Sequence, residues 1–299
     1  MEIGLIGLGR MGANMRDRLR ADGHTVVGYD AAPGIGDVDS LAEMVARLPG
    51  PRTVWTMVPA GEITRGVIDE LAGLLEEGDL LIEGGNSRFD DDDRHAEVLA
   101  ARGVAYLDCG VSGGVWGRTE GYGLMVGGAE SDVARAMPIF DSLRPAGPRE
   151  NGFVHAGPTG AGHYAKMVHN GIEYGLMQAY AEGYELLAAE SRIAAPDKVM
   201  TAWQSGTVVR SWLLELLVAA LGEDPAFAAI TDYVEDSGEG RWTIEEAIDH
   251  AVPTPVIAAA LFARFSSRQD QSPAMKAVAA LRQQFGGTSR TRELGGLTT

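Results

Sequence analysis

In the first half of the chain, short apolar β-type runs alternate with amphipathic helical stretches, and few architectures accept that order. Residues 3–6, 25–29, 54–58, 80–82 and 104–107 read as buried strands, with amphipathic helices at 11–20 and 91–102. Parallel strands need a crossover between them, and a helix used as that crossover lies on a face of the sheet. The expected N-terminal fold is therefore α/β, a mainly parallel sheet covered by helices on both sides. Past "NGFVHAGPTGAG" the pattern turns to long helical stretches, at 163–190, 209–221, 244–250, 255–265 and 275–285. That predicts an all-α C-terminal domain. The expected boundaries are 1–158, 159–285 and a polar, glycine-rich, mobile tail at 286–299.

Composition narrows the function classes. With 45% hydrophobic and 22% charged residues, the 299-residue chain has ample material for a core. Its net charge of -17 argues against nucleic-acid or anionic-membrane partners, whose phosphates it would repel. No run of about 18 uninterrupted apolar residues suggests a membrane span, and "MEIGLIGLGRMG" reads as a strand and turn rather than a leader. The single cysteine, Cys109, has no partner for an intrachain disulfide, so a reducing, cytoplasmic setting is expected. No cysteine or histidine spacing of a metal site stands out.

The first strand runs into "GLIGLGRMG", which places Gly7, Gly9 and Gly12 in G-x-G-x-x-G spacing before a helix. Glycines there let the backbone approach a pyrophosphate at the helix N-terminus, where unpaired N–H groups favour an anion. Asp30 ends the next strand, where a carboxylate can accept from a ribose hydroxyl. The following "YDAAPGIGD" contains no basic residue to pair with a 2′-phosphate. NAD is thus favoured over NADP, although a distant arginine folding in would leave NADP open.

The segment "AKMVHNGIEYG" carries Lys166, His169, Asn170 and Glu173 at spacings that share one helix face. On a surface helix this is a solvated stripe. Here Met167, Val168, Ile172, Leu176 and Met177 flank it, and Gly160, Gly162, Gly171 and Gly175 suggest close approach of a ligand or backbone. An amine buried in this way can serve as a base, so Lys166 is the candidate to take a hydroxyl proton as its carbon gives up hydride. "IEGGNSRF" presents Asn86 and Ser87 at a strand's carboxyl edge, and backbone amides near Ser112, Gly113 and Gly114 are suited to a carboxylate. Each stretch alone is equally an ordinary loop; together they point to an anionic, polyhydroxylated substrate. The acidic run 90–93 reads as charge at a helix start rather than a site.

Taken together, "GLIGLGRMG", "IEGGNS", "GVSGG" and "GAGHYAKMVHNGIEYG" resemble the signatures of 6-phosphogluconate dehydrogenase, within the β-hydroxyacid dehydrogenases. The chain is similar to the family's short form, which lacks the duplicated helical domain. The resemblance implies a Rossmann-type NAD(P)-binding domain, NAD or NADP as cofactor, no metal, and a homodimer or homotetramer. It implies cofactor contacts from Gly7, Leu8, Gly9, Arg10, Met11, Gly12, Asp30, Met57, Val58, Pro59 and Asn86. Lys166 would be the base and Glu173 the acid, with Asn86, Ser112, Gly113, Gly114, His169 and Asn170 on the sugar acid and Tyr174 and Arg264 on its phosphate. The implied reaction is oxidative decarboxylation of 6-phosphogluconate to ribulose 5-phosphate.

Some positions depart from the long form. "VEDSGEGRWT" is a shorter loop whose only base is Arg241, the tail offers Arg290 and Arg292 without a histidine, and Val115 and Trp116 replace acids. Two alternatives stay open: a wider β-hydroxyacid dehydrogenase acting on an unphosphorylated sugar acid or a 3-hydroxyisobutyrate-like substrate, and a dinucleotide-binding sensor without turnover.

Overall fold

A computed structural model of the chain describes residues 1–284. The expected tail, with Arg290 and Arg292, lies outside the described residues. The N-terminal elements are β1 (Glu2–Ile6), α1 (Arg10–Ala21), β2 (Thr25–Tyr29), α2 (Leu41–Arg47), β3 (Thr53–Thr56), α3 (Glu62–Leu74), β4 (Leu80–Glu83), α4 (Phe89–Ala100), β5 (Ala105–Ser112), α5 (Gly117–Glu120), β6 (Gly123–Gly128), α6 (Glu130–Leu143) and β7 (Phe153–Gly157). Helices follow: α7 (Ala161–Ala189), α8 (Pro196–Trp203), α9 (Trp212–Glu223), α10 (Glu239–Asp249), α11 (Pro255–Ser267) and α12 (Pro273–Gln284).

The seven strands form one sheet in the order β2-β1-β3-β4-β5-β6-β7, parallel except where β6 runs against β5. The order reverses at β1, whose two neighbours are β2 and β3. In open α/β sheets that switch point leaves a crevice at the strands' carboxyl ends. Alternation along the strands divides the core between two faces. Ile3, Leu5, Leu80 and Ile82 pack with Met15 and Leu19 of α1 and with Ile139 and Phe140 of α6. Ile6, Val54 and Leu81 pack with Met44 of α2, Ile68 and Leu71 of α3 and Leu99 of α4. Fully burying a side chain of this size contributes about 1.5–3 kcal/mol.

The α/β reading and its mainly parallel sheet hold, with three differences of detail. β5 extends to Ser112 because Asp108 and Gly110 interrupt its apolar run without interrupting its pairing with β6. The strands β6 and β7 escape sequence reasoning, β6 because half of "GLMVGG" is glycine and β7 because His155 and Gly157 leave "FVHAG" without an apolar run of strand length. Arg241 sits in the first turn of α10, not in a loop, since the helix begins at Glu239.

Contacts group the chain into two compact units, one of Met1–Ile172 with Gly238–Ala251, the other of Glu173–Ser237 with the residues from Val252 onward. The helix α10 belongs to the first: Thr243 Oγ1 donates to Met167 O at 3.0 Å, and Gly171 is required there because a Cβ would press on Thr243. In the second unit Ser211 caps α9 by accepting from Leu214 N–H, and Tyr180 O–H donates to Val209 O at 2.6 Å. Arg268 pairs with Asp236 at 2.8 Å. No helix among the described residues is long and apolar enough to cross a membrane.

Candidate active site

The turn after β1 has the form a dinucleotide phosphate needs. Gly7 has φ of 85° and its N–H donates to Tyr29 O at 2.9 Å. A Cβ at Gly12 would fall on Gly7 O, so that glycine is demanded by the packing of α1 on the turn. At Gly9 a Cβ would meet nothing within 4 Å. Gly9 is the N-cap of α1 and supplies no side-chain cap, so the helix presents its first amides to open space. Asp30 stands at the rim, with Oδ2 accepting from Leu8 N–H at 2.7 Å and Oδ1 from Ala32 N–H at 2.8 Å. Those bonds fix the carboxylate at the end of β2. Met57, Val58 and Pro59 follow β3 directly, and Met57 N–H donates to Ile6 O at 2.7 Å, so this segment lies beside the glycine turn.

The placement of Lys166 rests on β5. Residues 108, 110 and 112 face α7, while Cys109 and Val111 face the opposite core. Asp108, fully buried, accepts from Gly160 N–H at 2.7 Å and His163 N–H at 2.9 Å, which caps the first turn of α7. A Cβ at Gly110 would collide with Lys166 Cβ and come within 2.9 Å of Gly162 O. Gly162 itself lies against Met125 O and Gly127 N. Helix and sheet thus touch backbone to backbone, and Lys166 is only 7% exposed.

One turn along α7, Ser112 Oγ lies 3.3 Å from His169 Nε2, and His169 Nδ1 lies 3.1 Å from Asn170 Oδ1. Asn170 is buried and His169 exposed. Gly113 and Gly114, in the turn after Ser112, both have positive φ, at 137° and 52°. Asn86 is exposed in the turn after β4, where Glu83 Oε1 accepts from Gly85 N–H at 2.7 Å. Val115 and Trp116 are both half exposed, and Val115 O accepts from Asn14. One expectation needs correcting: Ile172, Leu176 and Met177 are exposed at 52%, 44% and 43%, so the apolar flank of α7 does not enclose the polar stripe.

The acidic run also needs correction. Asp90, Asp91 and Asp92 do occupy the first turn of α4, but Asp92 is fully buried. It accepts from Tyr106 O–H at 2.7 Å and lies 2.8 Å from His163 Nδ1. Burial pushes its carboxyl up to about 6 against the opposing pull of His163. Sequence reasoning missed Glu83, Asp92, Asp108 and His163. The available signals were a carboxylate inside an apolar strand at Asp108 and a histidine one helical turn before Lys166.

In the second unit, the Arg264 guanidinium lies 3.5 Å over the Tyr174 ring, and its Nη1 donates to Glu235 O at 3.0 Å. Tyr174 is 6% exposed, and its hydroxyl has no hydrogen-bond partner among the described residues. Glu173 precedes it on α7 and is partly exposed.

Comparison with known proteins bears on the family. The profile described as NAD binding domain of 6-phosphogluconate dehydrogenase matches residues 2–145, and that of the 6-phosphogluconate dehydrogenase C-terminal domain matches 162–293. A decarboxylating, NAD(+)-dependent 6-phosphogluconate dehydrogenase of Haloferax volcanii is 42% identical over 296 residues, covering 96% of this chain and 97% of that protein. The structure of Plasmodium falciparum 6-phosphogluconate dehydrogenase, studied with NADP+ and with 6-phosphogluconate, superposes with a TM-score of 0.77 at 26% identity, over 99% of this chain and 67% of that one. A Mycobacterium tuberculosis 3-hydroxyisobutyrate dehydrogenase shares the fold, with a TM-score of 0.68 at 24% identity over 94% of this chain and 99% of that one. On the match of both halves, and of one relative along its whole length, the chain belongs to the 6-phosphogluconate dehydrogenase family.

Proposed function

We propose that the chain oxidises and decarboxylates 6-phospho-D-gluconate to D-ribulose 5-phosphate and CO2. The observation that carries this reading is the buried Lys166, set against Gly110 beside Ser112, His169 and Asn170. The glycine turn, Asp30 and the segment Met57–Pro59 suit a dinucleotide, whose nicotinamide supplies the hydride acceptor when bound. The Lys166 amine accepts the C3 hydroxyl proton of the substrate. The resulting 3-keto acid carries its own electron sink, and protonated Lys166 stabilises charge developing on the C3 oxygen as CO2 leaves. Glu173 protonates C1 of the enediol, so one base and one acid complete the sequence. Ser112, His169, Asn170, Asn86 and the amides at Gly113 and Gly114 hold the sugar acid.

Arg264 and Tyr174 are assigned to the phosphate. Their support is a guanidinium stacked on a ring whose own hydroxyl is buried and unsatisfied, a pair suited to a tetrahedral anion. Arg264→Ala is expected to raise KM for 6-phosphogluconate by about 10- to 100-fold, in line with about 1.5–3 kcal/mol for a hydrogen bond to a charged group. Activity on unphosphorylated gluconate, however low, should not change. Steady-state kinetics on 6-phosphogluconate, gluconate and 3-hydroxyisobutyrate, with CO2 release followed, test both readings. Preference for 3-hydroxyisobutyrate without CO2 would overturn the proposed activity.

Asp30 favours NAD, because its carboxylate would repel a 2′-phosphate at the same rim. Asp30→Ala should narrow the NAD-over-NADP ratio of kcat/KM by about tenfold, equivalent to about 1.4 kcal/mol. An unchanged ratio would remove Asp30 from the ribose contact. We also infer a cytoplasmic homo-oligomer, a reading supported by the lone buried cysteine and by the exposed Ile172, Leu176 and Met177 on one helix.

A further inference from the structure

Where β4, α4, β5 and α7 meet, a histidine lies buried among carboxylates to which the reaction gives no task. His163, one turn before Lys166, is 1% exposed. Its Nδ1 lies 3.0 and 2.8 Å from the two oxygens of Asp92, and its Nε2 lies 3.4 Å from Glu83 Oε2. Neither that Nε2 nor that oxygen has a hydrogen-bond partner among the described residues. Asp108 caps the same turn of α7, and Tyr106 O–H donates to Asp92. On the far side of Tyr106, His95 Nδ1 lies 3.5 Å from the hydroxyl, and burial pushes that second imidazole down to about 4, so it adds no charge.

Ionised carboxylates beside both ring nitrogens call for a donor at each, and only the imidazolium has two. A divalent ion is the other occupant that Glu83, Asp92 and His163 suggest, since their ligand atoms lie within 4.8 Å of one another. Yet Asp92 sits off Nδ1 and Glu83 off Nε2, so a single ion at a bonding distance of about 2.0–2.2 Å could not reach all three without rotating the ring away from one of them. The arrangement suits a proton on each nitrogen.

The same groups join two parts of the site. The other oxygen of Glu83 accepts from Gly85 N–H, next to Asn86, while His163 shares its helix with Lys166. We propose that His163 is a positioning residue: as an imidazolium between Glu83 and Asp92, it ties the turn that presents Asn86 to the helix that presents Lys166. The assignment rests on the proposed roles of those two residues. Burial opposes the ring's charge, but Glu83, then Asp92 and Asp108, outweigh it and raise His163 to about 10. The folded value exceeds the ordinary 6.5, so the ring's contribution is lost as pH rises through about 10, while the Asp92 carboxyl, raised to about 6, is protonated below that; both charges of the clamp are present between the two.

The test combines spectroscopy with two variants of the full-length enzyme. In the wild type, one histidine ring should keep imidazolium nitrogen shifts at pH 8.5, and that signal should vanish in His163→Gln. A neutral ring at that pH, or a stoichiometric divalent ion in the purified protein, would overturn the proposal. His163→Gln should lower kcat on 6-phosphogluconate by about 10- to 100-fold, the scale of an ångström-sized misplacement, with the Kd for NAD within about twofold. Glu83→Gln keeps an acceptor for Gly85 N–H and replaces the charged oxygen facing Nε2 with a neutral amide NH2. It should reproduce the loss of kcat in a more stable background, should His163→Gln fold poorly. A lowered melting temperature with kcat intact in Glu83→Gln would make the cluster merely structural and defeat the assignment. Wild-type enzyme inactive on 6-phosphogluconate would defeat the functional reading alone; the spectroscopic signature still decides the ring's charge, and the same kcat comparison applies to whichever hydroxy acid is oxidised.

Discussion

Lys166→Met should abolish turnover while leaving the dinucleotide bound. Methionine approximates the length and apolar stem of lysine, so the packing against β5 survives while the amine is lost. Removing a positioned base costs about 10²- to 10⁴-fold in rate. In the proposed mechanism the same group also stabilises the C3 oxygen during decarboxylation, so the upper end of that range applies. The glycine turn is built by β1, α1 and β3, none of which depends on the Lys166 side chain. Binding of NAD, measured by calorimetry, should therefore stay within about twofold of wild type, well under 1.4 kcal/mol. Loss of NAD affinity would mean that α7 supports the nucleotide site, and full turnover would remove Lys166 from the chemistry.

Gly110→Ala is expected to be nearly as damaging, although glycine 110 makes no contact with substrate in the proposed mechanism. The added methyl would strike Lys166 Cβ on one side and approach Gly162 O on the other, and the second neighbour is backbone. Relief requires α7 to move off the sheet. Overpacking of this kind costs about 1–3 kcal/mol of stability, and a displacement near 1 Å costs about a hundredfold in rate. The two effects should appear together, as a lower melting temperature and a reduced kcat. Wild-type kinetics in this variant would show that helix and strand are not packed as described. Cys109→Ala, on the next residue but facing the other core, should leave kcat close to wild type and provides the control.

Much of this is legible in the sequence. The alternation of runs gives the sheet, and Gly7, Gly9, Gly12 and Asp30 give the dinucleotide turn, because strict backbone requirements leave marks in sequence. The stripe Lys166, His169, Asn170 and Glu173 is legible for the same reason, since helical spacing is local. What escapes is what depends on partners distant in the chain. Asp92 looks like surface charge at a helix start until Tyr106 and His163 cover it. Asp108 looks like an interruption of a strand until its oxygens meet the amides of residues 160 and 163. The strand β6 is hidden by glycines whose purpose appears only when β5 is laid beside them, as at Gly127, where a Cβ would run into the Asp108 carboxylate.

The capping of α7 by Asp108 and its bare contact over Gly110 and Gly162 bear on how such a protein can change over time. Where Gly110 and Gly162 meet, main-chain atoms locate Lys166, with one carboxylate as a fastener. Leucines and isoleucines elsewhere in the sheet's two cores can then be exchanged for others of similar bulk without relocating Lys166. Divergence has room in the interior while the chemistry stays in place, which is compatible with a shared fold at 26% identity.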